Sequence, residues 1–328
     1  MHFENMGTAT TQDVELADSS ASQELHKRRK GIMQEPSVSS RPFVGRIGGN
    51  QEFTLPRNDS HYSTIAEKVP DVSGTFTWRD SFRLIAFADG ELWKEATLEG
   101  VGTCLQIFLS GLFSIGLGPG SSFASASTPL TAAGFAGVLN ALLISFFIFV
   151  GGPVSGGHFN PFITLSTFFA RLSIFPRTVL YVIFQCTGAV VAGFMLRAAI
   201  GSKQAFGMIP GCYIDTSIIT PGQAYVFETM TSFGLIFIAF GVGLDPRQRQ
   251  VFGPAVSSLL VGMALGFTSF VSGIARPGYT GASLNPARCL GLMSAADQFN
   301  YHYIHWFGDL TAAIINGIMY WIIPIYKD

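Results

Sequence analysis

The chain has 328 residues, of which 48% are hydrophobic and only 12% charged, and its net charge is −1 at pH 7. A soluble globular domain normally carries about 25% charged residues, so this composition excludes an ordinary water-exposed surface over most of the molecule. The near-zero net charge gives no indication of nucleic acid as a partner.

The polar residues are concentrated at the beginning of the chain. Residues 1–80 hold most of the charge and many Ser, Thr, Gln and Pro residues without sustained periodicity, which predicts a disordered N-terminal tail. Residues 81–92 continue a stretch that mixes aromatic and charged side chains, and they predict a segment lying along a membrane interface. Residues 93–328 are predicted to form one membrane domain.

Six apolar stretches of this domain are long enough to cross a membrane, which takes about 20 apolar residues. They cover about residues 95–117, 133–152, 174–199, 222–244, 253–274 and 302–323. Two further apolar segments, 160–171 and 285–295, reach only about half the hydrocarbon thickness at about 1.5 Å per residue. The sequence therefore predicts an all-α polytopic membrane protein with six transmembrane helices and two re-entrant half-helices, a pattern typical of channels and transporters.

The Lys and Arg residues near the ends of the spans predict the orientation of the chain. If there are six spans, one side of the membrane carries Lys94, Arg171, Arg177, Arg247, Arg249 and Lys327. The other side carries Lys203 and Arg276, with Arg197 close by. Both termini are therefore predicted to be cytoplasmic.

The membrane domain contains an internal repeat. Two similar segments read SGGHFNPF at 155–162 and TGASLNPA at 280–287, and each follows the second span of its half. Each half also has a glutamate in its first span, Glu99 or Glu228, which lies 61 or 57 residues before the Asn of its segment. The repeats cover about residues 95–199 and 222–323. Because each half has three spans, the halves have opposite orientations, which is an inverted 3+3 repeat.

The chemistry of the Asn-Pro pair explains how each half-helix begins. Asn is a strong N-cap, and Pro is favoured at the first helical position because its missing N–H would have no partner there. Asn160-Pro161 and Asn285-Pro286 are thus predicted to start two half-helices that meet near the bilayer centre. Each N-terminus carries about half a positive charge, and two such ends at one constriction repel cations and protons.

The doubled Asn-Pro pattern, the helix glutamates and the 3+3 layout resemble the aquaporin and aquaglyceroporin (major intrinsic protein) superfamily over about residues 92–326. The second motif, Asn285–Arg288, reads Asn-Pro-Ala-Arg as in the family, whereas the first has Phe162 where the family usually has Ala. Together with Cys289 after the arginine, this departure resembles the X-intrinsic-protein subfamily of fungi and plants, and the long polar tail favours a fungal member.

The resemblance implies roles for particular residues. It places the pore motif at Asn160, Pro161, Phe162, Asn285, Pro286 and Ala287, and the pore-lining loops at His158, Gly156, Gly157, Gly281 and Ser283. It places an outer selectivity filter at Asn140, Ser269, Ala282 and Arg288, where Ser269 stands for a window open to Gly273. It also implies that Glu99 and Glu228 are structural acids that accept hydrogen bonds from the re-entrant loops. His158 lines the pore, bonds structurally to loop carbonyls, or does both.

A filter with no aromatic or His side chain at these positions predicts a wide, polar constriction. The expected function is a passive channel for water and small uncharged polar solutes such as glycerol, with urea and hydrogen peroxide as further candidates. A strictly water-selective channel is the alternative. A secondary transporter, in which Glu99 or Glu228 couples ion movement, is a less favoured one.

Other classes of function and chemistry are not indicated. The sequence shows no phosphate loop, nucleophile elbow or metal cluster, so neither an enzyme nor a cofactor is expected. The family resemblance implies a homotetramer in a lipid bilayer, and we expect the plasma membrane. The cysteines, at positions 104, 186, 212 and 289, lie far apart, which argues against a disulfide framework. Cys289 is interpreted as a small packing residue, with a pore-adjacent thiol as the alternative, and Cys212 as an exposed residue of the external loop 200–221.

Overall fold

The computed structural model describes residues 42–48, 54–55, 57–119, 121–245 and 249–323, and of residues 249–252 the backbone alone. In chain order the α-helices are α1 (Tyr62–Lys68), α2 (Trp78–Ser81), α3 (Gly90–Leu117), α4 (Ser122–Ala126), α5 (Pro129–Ser155), α6 (Pro161–Phe169), α7 (Phe175–Ile200), α8 (Pro221–Ala239), α9 (Arg249–Gly273), α10 (Pro286–Ala296) and α11 (His302–Ile322). One π-helical turn, Phe240–Leu244, continues α8. The predicted six long helices and two half-helices, α6 and α10, are confirmed.

Local sequence sets where the long helices begin. The Thr128 hydroxyl caps α5 by accepting a hydrogen bond from the Thr131 N–H at 3.2 Å, so α5 begins at Pro129, four residues before the predicted start. A capping box starts α8, in which Thr220 accepts from the Gln223 N–H and the Gln223 side chain accepts from the Thr220 N–H. These polar caps satisfy backbone donors that the first helical turn leaves without partners.

Within the described residues, five of the six long helices are long and apolar enough to cross a membrane by length and composition. The sixth, α11, carries His305, Asp309 and Asn316, all of which are buried. These polar side chains lower the mean hydropathy of α11, but they point into the bundle and not towards its outer surface. Polar side chains in spans are expected to face the bundle interior in this way.

Small residues bring the helices close together. A Cβ added to Gly188 of α7 would overlap the carbonyl of Gly100 in α3, and one added to Gly266 of α9 would overlap the carbonyl of Gly137 in α5. Close backbone approach at glycine is how membrane helices pack where lipid offers no hydrophobic driving force. Glycines therefore allow close backbone approach between α3 and α7 and between α5 and α9.

The prediction that residues 1–80 are disordered is wrong for the part that the structure describes. Helix α1 and a 3₁₀ turn at Pro70–Val72 precede α2, and the side chains of Phe43, Val69 and Val72 are completely buried. Residues 1–41, 49–53 and 56 lie outside the described residues, so the prediction is not addressed there.

A buried ion pair explains why this region is ordered in spite of its polar composition. Arg177, at the beginning of α7, donates from Nε to Asp71 Oδ2 at 2.8 Å, and its Nη1 contacts the Glu95 carboxylate. Asp71 also accepts from the Ile174 N–H at 3.2 Å. Because loss of one carboxylate would leave the buried Arg177 charge less compensated, this cluster holds Asp71 against the bundle. Arg177 is therefore a buried structural charge and not one of the loop charges that predict orientation.

The segment predicted to lie at a membrane interface, residues 81–92, contains a 3₁₀ turn at Leu84–Ala88 and the first residues of α3. Phe82, Leu84 and Ile85 are all more than half exposed. Exposed apolar side chains beside a span suit an interfacial position, and the assignment stays a prediction.

Candidate functional site

The two half-helices meet at Asn160 and Asn285. The Asn160 Oδ1 accepts from the Phe162 N–H at 2.9 Å, and the Asn285 Oδ1 accepts from the N–H groups of Ala287 and Arg288 at 3.1 and 3.3 Å. In both motifs the following Pro occupies the first helical position. Each Asn thus caps its half-helix through its side-chain oxygen, which leaves the amide nitrogen for other contacts.

Those nitrogens cross-connect the two motifs. Asn160 Nδ2 donates to the Leu284 carbonyl at 2.7 Å, and Asn285 Nδ2 donates to the Phe159 carbonyl at 3.2 Å. Phe159 and Leu284 have positive φ angles of 46° and 56°, a left-handed conformation that is uncommon for residues other than glycine. The strained backbone before each motif therefore directs a carbonyl at the opposite Asn.

The two predicted structural acids hold the loops that precede these motifs. In the first half, Glu99 accepts from the N–H groups of His158 and Phe159 at 3.0 and 2.5 Å. It also accepts from the Ser155 hydroxyl at 2.5 Å and from Gln185 Nε2 at 2.9 Å. A carboxylate that accepts several hydrogen bonds fixes the loop backbone as well as its own position.

The second half repeats this arrangement. Glu228 accepts from the Ser283 N–H at 2.8 Å and from the Tyr279 hydroxyl at 2.6 Å, and its Oε1 lies 3.0 Å from His305 Nδ1. Gln185 lies in α7 and His305 in α11, so the third long helix of each half supplies one partner. These partners were not predicted from the sequence, although a polar residue inside an apolar span is a signal for a buried contact.

A cavity of about 800 Å³ opens on one side of the midplane. We call this side the outer side. The cavity reaches Leu284 and Asn285, and its wall includes all four predicted filter residues: Asn140, Ser269, Ala282 and Arg288. Asn140 Nδ2 donates to the Ser269 hydroxyl at 3.2 Å. Gly273, Gly281 and Ser283 also line the cavity, so both ends of the window predicted for the α9 position, Ser269 and Gly273, lie in its wall.

Arg288 is held in the cavity wall by two neighbouring elements. Its Nη2 donates to the Pro210 carbonyl at 2.8 Å and to the Ser114 hydroxyl at 3.0 Å. Pro210 and Ser114 were not predicted as site residues. Two fixed acceptors restrict the guanidinium to one orientation, which leaves its positive charge beside the cavity.

A disulfide joins Cys212 to Cys289, with the Cα atoms 5.3 Å apart and a separation of 77 positions in sequence. The sequence-based interpretations of both residues are therefore wrong: the cysteines are paired, and Cys212 is buried. The sequence separation of the two cysteines does not indicate their pairing, because it is the fold that returns the segment after α7 to the start of α10. The disulfide fastens this segment next to Arg288.

The remaining predicted residues lie on the inner side, opposite the cavity. His158 is buried, with Nδ1 3.1 Å from the Thr164 hydroxyl and Nε2 2.8 Å from the Gly45 carbonyl. Gly156 and Gly157 adopt positive φ angles of 99° and 69°. Phe162 is completely buried in the apolar core. The structure thus separates these residues from the filter residues, and Asn160 and Asn285 lie between the two groups.

Comparison with known proteins finds the same kind of protein by three routes. A family model described as "Major intrinsic protein" matches residues 87–320. Aquaporin TIP4-2 of Zea mays is 31% identical over 223 residues, which cover 68% of this chain and 81% of the relative. Aquaporin TIP1-1 of Arabidopsis thaliana is 30% identical over 68% of this chain and 86% of its own length. The solved aquaglyceroporin from Plasmodium falciparum shares the fold with a TM-score of 0.56, at 17% identity over 70% of this chain and 95% of that one.

Proposed function

Because the chain belongs to the major intrinsic protein family, whose members are membrane channels and not enzymes, we propose that its pore passes water and small uncharged polar solutes of the size of glycerol. The pore runs through the outer cavity, between Asn160 and Asn285, and along the first re-entrant loop to the inner side. Urea and hydrogen peroxide are also uncharged and polar, and both are smaller than glycerol.

The composition of the filter carries this proposal. The four side chains are an amide, a hydroxyl, a methyl group and a guanidinium, from Asn140, Ser269, Ala282 and Arg288. A polyol needs hydrogen-bond partners for its hydroxyls and room for its carbon chain. The Asn140–Ser269 pair and Arg288 offer the partners, while Ala282 leaves space.

Electrostatics explains how such a wide filter excludes cations and protons. The N-termini of α6 and α10 meet at the midplane, and each carries about half a positive charge. Arg288 adds a full charge at the outer constriction. A cation would therefore meet two successive barriers of the same sign, whereas an uncharged solute meets donors and acceptors.

The buried acids argue against ion-coupled transport. Glu99 and Glu228 are completely buried, and each accepts hydrogen bonds from its loop and from a neighbouring helix. A coupling carboxylate must exchange its ion or proton with the pathway. Neither acid can do so without releasing the loop that it holds, which supports structural roles and a passive channel.

Narrowing the filter tests its assignment. We expect Ser269→Phe to lower glycerol flux in proteoliposomes to the level of empty vesicles while water flux persists, because the aromatic ring reduces the space beside Asn140. Leu259→Phe is the matched control, since Leu259 lies on the exposed face of the same helix. The filter assignment would be contradicted if both variants lost glycerol flux equally, or if neither variant lost it. Water flux without glycerol flux in the unmodified protein would instead favour a strictly water-selective channel.

The assembly and location complete the proposal. We infer a homotetramer in which each protomer holds its own pore, with both termini in the cytoplasm and the plasma membrane as its location. Exposed apolar side chains on the outer faces of the helices, such as Val138, Val150 and Phe267, suit contact with lipid or with neighbouring protomers. Native mass spectrometry from detergent should give a mass four times that of the protomer, and a monomeric mass would contradict the tetramer.

A further inference from the structure

Residues 43–48 lie against the first re-entrant loop on the inner side. The Gly45 carbonyl lies 2.8 Å from His158 Nε2. Because a carbonyl can only accept, this ring nitrogen carries the proton. The Ile47 N–H donates to the Gly156 carbonyl at 3.0 Å. Residues 43–48 thus occupy the donor and acceptor groups that the loop would otherwise present to a solute.

The same segment continues to the second half of the bundle. The Gly48 N–H donates to the Gly243 carbonyl at 2.7 Å, where the π turn after α8 ends. A Cβ at Gly48 would lie 3.0 Å from the Pro254 carbonyl in α9, and one at Gly243 would lie 3.2 Å from Ile47 Cγ2. Residues 43–48 therefore bridge from the first loop to α8 and α9, across the inner end of the proposed pore.

Burial shows that this bridge covers the inner mouth. His158 and Ile148 are each 4% exposed, and Val261 and Ile47 are each 3% exposed. Ile47 belongs to the same buried apolar cluster as Ile148 and Val261. The cavity on the outer side, by contrast, stays open as far as Asn285. The proposed pathway is thus open from the outer side as far as the midplane, whereas on the inner side it is filled by buried side chains.

Two side chains anchor the segment. The Phe43 ring lies under the Arg177 guanidinium, 3.9 Å from its carbon to the ring centroid, and 5.8 Å from the His158 ring. Arg46 Nη1 donates to the Gly152 carbonyl at 2.5 Å. A cation–π contact and a charge-assisted hydrogen bond both require a defined geometry. Residues 43–48 are therefore held in one specific position and are not packed nonspecifically against the bundle.

Gly156 makes room for the segment. A Cβ at this position would lie 2.8 Å from Phe43 Cε1 and 3.4 Å from Arg46 Cα. Gly156 also has a φ of 99°, a backbone angle that residues other than glycine rarely adopt. Glycine at position 156 therefore permits both the turn of the loop and the close approach of residues 43–48.

We propose that the inner mouth is a peptide-binding site whose ligand is the segment Phe43–Gly48 of the same chain, and that the bound segment closes the pore. This inference rests on the proposed channel function. Release of the segment frees the His158 Nε2–H and the Gly156 carbonyl for solute and uncovers Ile148 and Val261. A ligand tethered on the same chain binds at high effective concentration, so closure is the resting state.

Weakening the attachment of residues 43–48 to the bundle tests the proposal in the full-length protein. In Arg46→Ala/Ile47→Ala we expect water permeability per protomer in proteoliposomes to rise by at least about tenfold. Loss of the charge-assisted hydrogen bond of Arg46 alone gives a shift of this size in a two-state ratio, and loss of the buried Ile47 side chain adds to it. Ser63→Ala/Thr64→Ala, on the exposed face of α1, is the matched control and should behave as the unmodified protein.

The outcomes separate the segment's role from the channel itself. If all three proteins conduct equally and faster than empty vesicles, the closure is wrong and the channel function stands. If all three match empty vesicles, both are contradicted.

A cross-link gives a second test that does not depend on weakening the fold. Oxidation of Ile47→Cys/Gly243→Cys should lower its water flux to that of empty vesicles, and reduction should restore it. The two single variants, which keep the native cysteines, should not respond. A cross-linked protein that conducts as well after oxidation as after reduction would overturn the proposal.

Discussion

Asn160 and Asn285 hold each other's loops: each donates from its amide nitrogen to the backbone carbonyl that precedes the other, at 2.7 and 3.2 Å. The same side chains cap α6 and α10 through their oxygens. An amide nitrogen has two N–H groups, so each Asn can hold the opposite loop with one and offer the other to a passing solute. In the proposed pore, structure and conduction thus depend on the same two side chains.

Removing one of these amides should therefore affect stability as well as flux. Asn285→Ala removes the cap of α10 and the bond to the Phe159 carbonyl, and we expect it to lower the free energy of unfolding by about 2 kcal/mol, one for each interaction. Thermal unfolding in detergent measures the loss. Asn300→Ala, at an exposed asparagine, is the control, and an equal melting temperature for both variants would contradict the prediction.

The buried ion pair between Asp71 and Arg177 should contribute strongly to the stability of the protein, because it attaches the region before α3 to the bundle. Asp71→Ala leaves the Arg177 charge less compensated, and we expect a loss of about 3–5 kcal/mol, as is typical when one partner of a buried pair is removed. Glu67→Ala, on the exposed face of α1, should have little effect. A small loss in Asp71→Ala, measured by chemical or thermal unfolding, would show that the region before α3 is only loosely attached.

Arg288 should keep protons and cations out. Arg288→Ala removes a positive charge from the wall of the outer cavity, and we expect a proton leak that is measurable with a pH-sensitive dye inside proteoliposomes. The control is Lys203→Ala, because this exposed cation is screened by solvent. If Arg288→Ala is as proton-tight as the control, the half-helix N-termini alone supply the barrier.

The disulfide should contribute to stability as well as to the position of Arg288. Cys212→Ser/Cys289→Ser opens a loop of 77 residues, and chain entropy predicts a loss of about 4.5 kcal/mol in the free energy of unfolding. We also expect an altered ratio of glycerol to water flux, because the segment containing Pro210 would no longer be fastened beside the filter. Cys104→Ser/Cys186→Ser changes the two free cysteines and should leave both properties unchanged.

Much of the bundle could be predicted from the sequence because its determinants are local. Spans follow from apolar length. The Asn-Pro pairs at Asn160 and Asn285 each supply the N-cap and the first residue of the apolar half-helix that follows. The filter residues could be assigned only by counting along a family pattern, and the fold does bring Asn140, Ser269, Ala282 and Arg288 to one cavity.

What the sequence did not reveal depends on contacts between distant residues. Nothing near Cys212 indicates that the fold returns it to Cys289. The polar composition before α3 concealed Asp71, whose partner Arg177 lies 106 residues away. The left-handed backbone at Phe159 and Leu284 is likewise imposed by the opposite motif and not by the local residue types.

Glycerol flux is the most direct measure of the central claim, that this chain is a channel for water and glycerol-sized solutes. Proteoliposomes with the unmodified protein and with Arg46→Ala/Ile47→Ala would be mixed with glycerol and followed by light scattering as they shrink and re-swell. We predict re-swelling faster than in empty vesicles, most of all in the variant. Fast shrinkage with re-swelling no faster than in empty vesicles, in both proteins, would contradict the claim and indicate a pore that passes water alone.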